Sequence, residues 1–96
     1  MTFEWDDAKN AANVAKHGVG FDLARRIFEG PVVSWIDDRI DYGEERIHSI
    51  GMIDAVVVLA VIHTDRNGKR RIISARRANA KERKRYEEAI SARTDH

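Results

Sequence analysis

No cysteine occurs among the 96 residues, which excludes disulfides, thiol nucleophiles and zinc–thiolate centres. There is one proline, no repeat and no low-complexity tract, so nothing reads as a linker and residues 1–96 are expected to form one domain. The longest apolar run, Ala55 to Ile62, is eight residues, far short of the roughly twenty that a membrane helix needs. The opening Met1-Thr-Phe-Glu-Trp-Asp-Asp is acidic and has no apolar signal core, so the cytoplasm is the expected compartment. No phosphate loop, dinucleotide fingerprint or nucleophile elbow is present. The histidines at 17, 48, 63 and 96 have no metal-ligand spacing, and Asp37, Asp38 and Asp41 do not follow a calcium-loop pattern. Neither a metal nor a cofactor is expected.

Charge is plentiful and unevenly placed. The net charge is +1, with 34% charged residues and 43% apolar ones. Residues 1–65 hold 6 Lys/Arg against 12 Asp/Glu, a balance of −6, whereas residues 66–96 hold 11 against 4, a balance of +7. Between Lys69 and Tyr86 stand nine basic residues and one acid, Glu82. Such polarity points to a polyanion, an acidic protein partner, or both.

The punctuation marks are Gly18, Gly20, Gly30-Pro31, Gly43, Gly51 and Asn67-Gly68. Asp6 to His17 reads as a helix capped by Asp6 and stopped by Gly18. Phe21 to Glu29 reads as a second, short helix ended by Gly30-Pro31. Strands follow at Val32–Ile36, Glu45–Gly51, Ala55–His63 and Lys69–Arg77. The third is apolar on both faces, as a covered central strand would be. Asn67-Gly68 is a strong hairpin signal joining the last two. A final helix begins at Asn79, which forms a capping-box variant with Glu82, and Tyr86 and Ile90 supply its buried stripe. The expected fold is α+β in the order ααββββα: two N-terminal helices, a four-stranded largely antiparallel sheet and a C-terminal helix.

Strict alternation along Lys69–Arg77 turns Arg71, Ile73, Ala75 and Arg77 to one face and Arg70, Ile72, Ser74 and Arg76 to the other. Arginine holds phosphate through paired hydrogen bonds and keeps its charge. Arg66 and Arg83 stand close enough along the chain to join such a group. Glu82 and Tyr86, one helical turn apart, are candidate proton-transfer groups, although a capping carboxylate is already engaged and Tyr86 also fits a core position. His63, at the end of the central strand beside the basic cluster, and His17, closing the first helix, are candidate bases; His48 is a weaker one. His17-Gly-Val-Gly-Phe21 sits between two helices as in a helix-turn-helix, but Asp22, Arg25, Arg26 and Glu29 on the second helix suit a DNA groove poorly.

Two blocks of sequence resemble a known family. Phe3-Glu-Trp-Asp-x-x-Lys9-Asn10-x-x-Asn13-x-x-Lys16-His17-Gly18-Val19-x-Phe21 is similar to the opening signature of BrnT-type toxins. His63-Thr-Asp-Arg66, Arg71-Ile-Ile-Ser-Ala-Arg76, Glu82-Arg83 and Tyr86 resemble their closing signature. The resemblance covers residues 3 to about 90. It implies the toxin of a type II toxin–antitoxin pair with a RelE-like fold, which cuts RNA and arrests translation. It also implies a BrnA-type antitoxin with a ribbon-helix-helix DNA-binding region, encoded next door, through which alone operator DNA would be reached. The family's function attaches to Arg66, Arg71, Arg76 and Tyr86; Lys16 and His17 match the signature as well. The turn near Met52-Ile53 is more apolar than the family pattern and is a candidate partner contact.

Cleavage without a metal needs a base for the ribose 2′-hydroxyl, an acid for the 5′-oxygen and cations around the phosphate. The expected clamp is Arg76, Arg71 and Arg66, with Tyr86, His63 or Glu82 handling protons and Lys16, His17, Arg77 and Arg83 contacting RNA. Two other classes compete: a non-catalytic nucleic-acid binder, and a pure interaction protein whose basic face meets an acidic partner. Only the catalytic reading requires proton-transfer groups next to the arginines.

Overall fold

The computed structural model describes residues 1–39, 41 and 43–94; His96 lies outside them. Strand β1 (Thr2–Glu4) leads into helix α1 (Asp7–His17), the single turn α2 (Phe21–Ala24) and a 3-10 segment (Arg25–Glu29). Strands β2 (Val32–Asp37), β3 (Arg46–Ile53), β4 (Val57–Arg66) and β5 (Lys69–Arg77) follow, and helix α3 (Ala80–Thr94) closes the chain. No helix among the described residues is long and apolar enough to cross a membrane.

The sheet has five strands in the order β1-β5-β4-β3-β2, one more than expected, and it is mixed. Strands β2 to β5 form the expected antiparallel meander, whereas β1 lies parallel to β5, with Phe3 opposite Arg70. Three residues are too few to show a period of two, so β1 has no signature in the sequence. The expected second helix is also shorter, passing into 3-10 geometry at Arg25.

Local signals work where they are strongest. The Asp6 carboxylate accepts the Lys9 N–H at 2.9 Å, and Gly18 closes α1 in the left-handed region at φ 71°. Asn67 and Gly68, at φ 54° and 75°, make a two-residue hairpin between β4 and β5.

Each face of the sheet has its own core. On one, α1, α2 and the 3-10 segment bury Val19, Phe21, Ala24 and Ile27 against Leu59, Val61, Ile72 and Ala75. Asn13 of α1 fastens this layer: its amide donates to Val19 O at 2.8 Å and Ala75 O at 2.7 Å and accepts from Ala75 N at 3.1 Å. Asn10 Oδ1 accepts the Phe21 N–H at 2.8 Å. Gly51 lets the 3-10 segment approach, since a Cβ there would stand 2.7 Å from Ile27 Cβ. On the other face α3 rests on β2 and β3, joining Ile50 and Val58 to Ala78 and Tyr86. Beyond α3, among the described residues, that face carries an open cleft lined by Arg46, Arg66 and Arg71.

Candidate active site

Alternation along β3 turns Arg46, His48 and Ile50 to the α3 side. His48 pairs in register with Trp35 of β2, and the two rings stack with centroids 4.3 Å apart. From above, Arg85 of α3 lays its guanidinium 3.9 Å from the Trp35 ring centre.

Glu82 is fixed by the capping box. Its Oε1 accepts the Asn79 N–H at 2.9 Å, and Asn79 Oδ1 accepts the Glu82 N–H at 2.8 Å. The same carboxylate takes both terminal nitrogens of Arg76, from β5, at 2.7 and 3.0 Å. Its Oε2 is 2.9 Å from His48 Nε2, close enough to pair but without the alignment of a hydrogen bond. Arg76, Glu82 and His48 thus form a continuous chain on the wall of a cleft of about 330 Å³, with Trp35, Lys81 and Arg85 around it.

Burial sets the protonation states. Loss of water around His48 disfavours its cation and, with the positive charge of Arg76, outweighs the pull of Glu82, so its pKa falls below the ordinary 6.5. Burial alone would raise the Glu82 pKa, but the hydrogen bonds from Arg76 and Asn79 and the Arg76 charge outweigh it and hold the carboxyl below its usual range. At neutral pH the cleft therefore holds a neutral imidazole beside a carboxylate and a guanidinium. A neutral imidazole can accept a proton, the carboxylate can steady the resulting imidazolium, and the guanidinium can meet negative charge on phosphate. At the rim, Arg39 binds Asp37 through two hydrogen bonds and lowers that carboxyl's pKa.

Of the residues singled out in the sequence, Arg76 and Glu82 come together here. Arg71 does not lie on the opposite face from Arg76, as strict alternation required. A register shift opposite Ile62/His63 inserts an extra residue in β5, so Arg71 lines the open side of the sheet. Arg66 and Arg71 share a neighbouring cleft of about 290 Å³ with Arg46 and Lys9, where Glu44 and Glu4 pair with Arg66 at 3.1 Å and Arg71 at 3.9 Å.

His63 lies on the other side of the sheet. It is buried against Phe28, with Nε2 2.7 Å from Ser49 Oγ and Nδ1 2.8 Å from Asp65. Burial lowers its pKa despite Asp65, which Arg70 holds through two hydrogen bonds. Tyr86 is a core residue whose hydroxyl donates to Pro31 O at 3.4 Å. Lys16 and His17 are exposed at the end of α1, on the far face. Arg77 faces Gly18 and Leu23 there, and Arg83 donates to Ala78 O at 2.8 Å.

Sequence reasoning gave His48 little weight and passed over Trp35 and Arg85. The strand pattern does place His48 beside Arg46 and Ile50 on one face, but its partner Glu82 arrives from a helix 34 positions on, with no signal between them. Among the described residues, no three His, Asp or Glu side chains converge to hold a metal ion.

Comparison with known proteins agrees with this architecture. Residues 5–82 match the family model described as "Ribonuclease toxin, BrnT, of type II toxin-antitoxin system". The fold is similar to the 1.1 Å crystal structure of the Brucella abortus ribonuclease toxin BrnT, with a TM-score of 0.63 and 28% sequence identity over 82% of this chain and 97% of that one. A search of curated proteins gives no match. Since the family match spans well over half of its residues, from Trp5 to the Glu82 carboxylate of the cleft, the chain belongs to the BrnT family of ribonuclease toxins of type II toxin–antitoxin systems.

Proposed function

We propose that this chain is the toxin of its pair and cleaves RNA in the cytoplasm, without a metal, at the His48–Glu82–Arg76 cleft. The observation that carries the reading is the chain itself: a neutral imidazole, an ionised carboxylate and a guanidinium in contact on one cleft wall. His48 takes the proton of the ribose 2′-hydroxyl, whose oxygen attacks the adjacent phosphorus. The P–O5′ bond breaks, leaving a 2′,3′-cyclic phosphate and a 5′-oxygen that is reprotonated from the Lys81 ammonium or water. Glu82 stabilises the His48 imidazolium, and Arg76 stabilises the extra charge on phosphorus-bound oxygen. Arg66 and Arg71 line a separate cleft, and in this scheme they hold a phosphate further along the strand. Tyr86 and His63 are structural in this scheme. Cleavage of messenger or ribosomal RNA arrests translation, and a BrnA-type antitoxin with a ribbon-helix-helix region silences the toxin.

Incubating the purified chain with RNA in the presence of a chelator tests the scheme. Products ending in cyclic phosphate, lost in His48→Ala and Arg76→Ala, support it. Cleavage that survives both substitutions places the chemistry elsewhere.

A further inference from the structure

The end of the sheet away from the Arg66 and Arg71 cleft carries apolar surface that the nuclease scheme does not use. Val56, at the β3–β4 turn, is 78% exposed, and Leu23 of α2 is 42% exposed. Between them a cleft of about 390 Å³, floored by Val19, Ile53 and Leu59, is more apolar than the catalytic one. The turn that presents Val56 is strained: Val56 N–H bonds to Ile53 O at 3.1 Å across Asp54 and Ala55, both in the left-handed region at φ 54° and 57°. Aspartate is common at the first of these positions, but glycine is usual at the second, where Ala55 stands. Strain kept on a protruding apolar tip suits a contact site. Two cations flank the tip. Arg77 borders the cleft, and a smaller groove joins Val56 to Arg77 and Arg83. Among the described residues neither arginine meets a carboxylate, although most other arginines of the chain do.

We infer that this surface is the docking site of the antitoxin, and that it takes an amphipathic acidic segment whose apolar side chain fills the Leu23–Val56 cleft while its carboxylates pair with Arg77 and Arg83. Exposed apolar area argues for a protein, since RNA offers no aliphatic partner, and two guanidiniums without a carboxylate partner among the described residues argue for acidic residues. The inference rests on the toxin–antitoxin reading only for the identity of the occupant. The patch also touches the catalytic elements: Arg77 follows Arg76 on β5, and Arg83 follows Glu82 on α3. A segment seated here lies beside the first turn of α3 without entering the cleft.

The test uses the full chain and the protein encoded by the adjacent open reading frame. Binding is followed by titration and RNA cleavage in parallel. Val56→Asp with Leu23→Asp, and separately Arg77→Glu with Arg83→Glu, should each weaken the complex at least 30-fold, and the Val56 and Leu23 pair, which has no part in RNA contact, should leave cleavage by the free chain within threefold of wild type. The milder Val56→Ser, at an exposed turn position, controls for folding and should weaken binding about fivefold. Unchanged affinity in all three overturns the surface. So does loss of cleavage with retained binding, which would make it an RNA contact. A wild-type chain that forms no complex with that protein overturns the occupant. A wild-type chain that binds through the patch yet cuts no RNA leaves the docking site standing and removes the nuclease scheme.

Discussion

Glu82 binds both terminal nitrogens of Arg76, at 2.7 and 3.0 Å, while its second oxygen faces His48 at 2.9 Å. One carboxylate therefore closes the first turn of α3, orients the guanidinium and sits beside the imidazole. Glu82→Gln keeps much of the cap but cannot hold Arg76 in the same two-pronged grip. It is expected to lower cleavage by about 10²-fold and stability by about 1–2 kcal/mol. Arg76→Lys keeps the charge but loses the fork, and should fall to a similar rate with a smaller stability loss. Cleavage rates and urea midpoints of the two variants decide this. Wild-type rates in Arg76→Lys would reduce the arginine to a structural partner of Glu82.

The pH profile follows from His48. Burial lowers its pKa below 6.5, and in the proposed scheme the neutral form is the base. Activity should therefore be lost on acidification with an apparent pKa below 6.5 and be level from there through pH 7.5. Glu82 pulls that pKa up, so Glu82→Gln should move the acid limb to lower pH. The measurement is kcat/KM from pH 4.5 to 8 for both proteins. A limb above pH 7 in the wild type would rule out a buried neutral His48 as the base.

Stability should share part of this dependence. His48 and His63 both have folded pKa values below their unfolded ones. The unfolded chain then binds more protons between those values, so stability is full above about pH 6.5 and falls as the pH drops through the unfolded pKa. The lowered carboxyls Asp37, Asp65 and Glu82 add their losses only nearer pH 4. Urea midpoints at pH 7.5 and 5.5 should differ in favour of pH 7.5. His63→Gln, which removes one of the two histidines, should shrink that difference. An unchanged midpoint across the interval would contradict the burial of both imidazoles.

What the sequence made legible depended on how local each cause was. The Asn79–Glu82 cap, the Gly18 stop and the Asn67-Gly68 hairpin need only three or four residues, and all stand where the spacing put them. Parallel pairing of β1 with β5 joins residues 67 apart through a three-residue strand, so no local pattern announces it. One extra residue in β5 reversed the side on which Arg71 was expected, because a period of two carries a single insertion through every position beyond it. His48 was undervalued for the same reason as β1: its environment is made by Trp35, Arg76, Glu82 and Arg85, drawn from three other elements.

Asn13 shows that a signature residue can serve the fold alone. Its amide satisfies the N–H and C=O of Ala75 and the C=O of Val19, all in the core under α1. Asn13→Ala strands these groups and should cost about 2–4 kcal/mol. Cleavage per folded molecule should stay near wild type at low temperature, because the cleft lies across the sheet. Thermal melts and active-site titration separate the two effects. A stable but inactive variant would transfer Asn13 from scaffold to chemistry.

Arg66 and Arg71 offer a sharper division of labour. Their cleft lies on the catalytic side of the sheet but does not include Arg76, and Glu44 and Glu4 already pair with them. In the proposed scheme a phosphate held there belongs to a neighbouring nucleotide, so Arg71→Ala and Arg66→Ala should raise KM for a long RNA about 5- to 30-fold with little change in kcat. Each lost contact should reduce the slope of log affinity against log salt by about 0.7, as for single strands. A dinucleotide, too short to reach the second cleft, should be cut equally by wild type and both variants. If the variants fail equally on the dinucleotide, these arginines act on the scissile phosphate, and the two clefts work as one site.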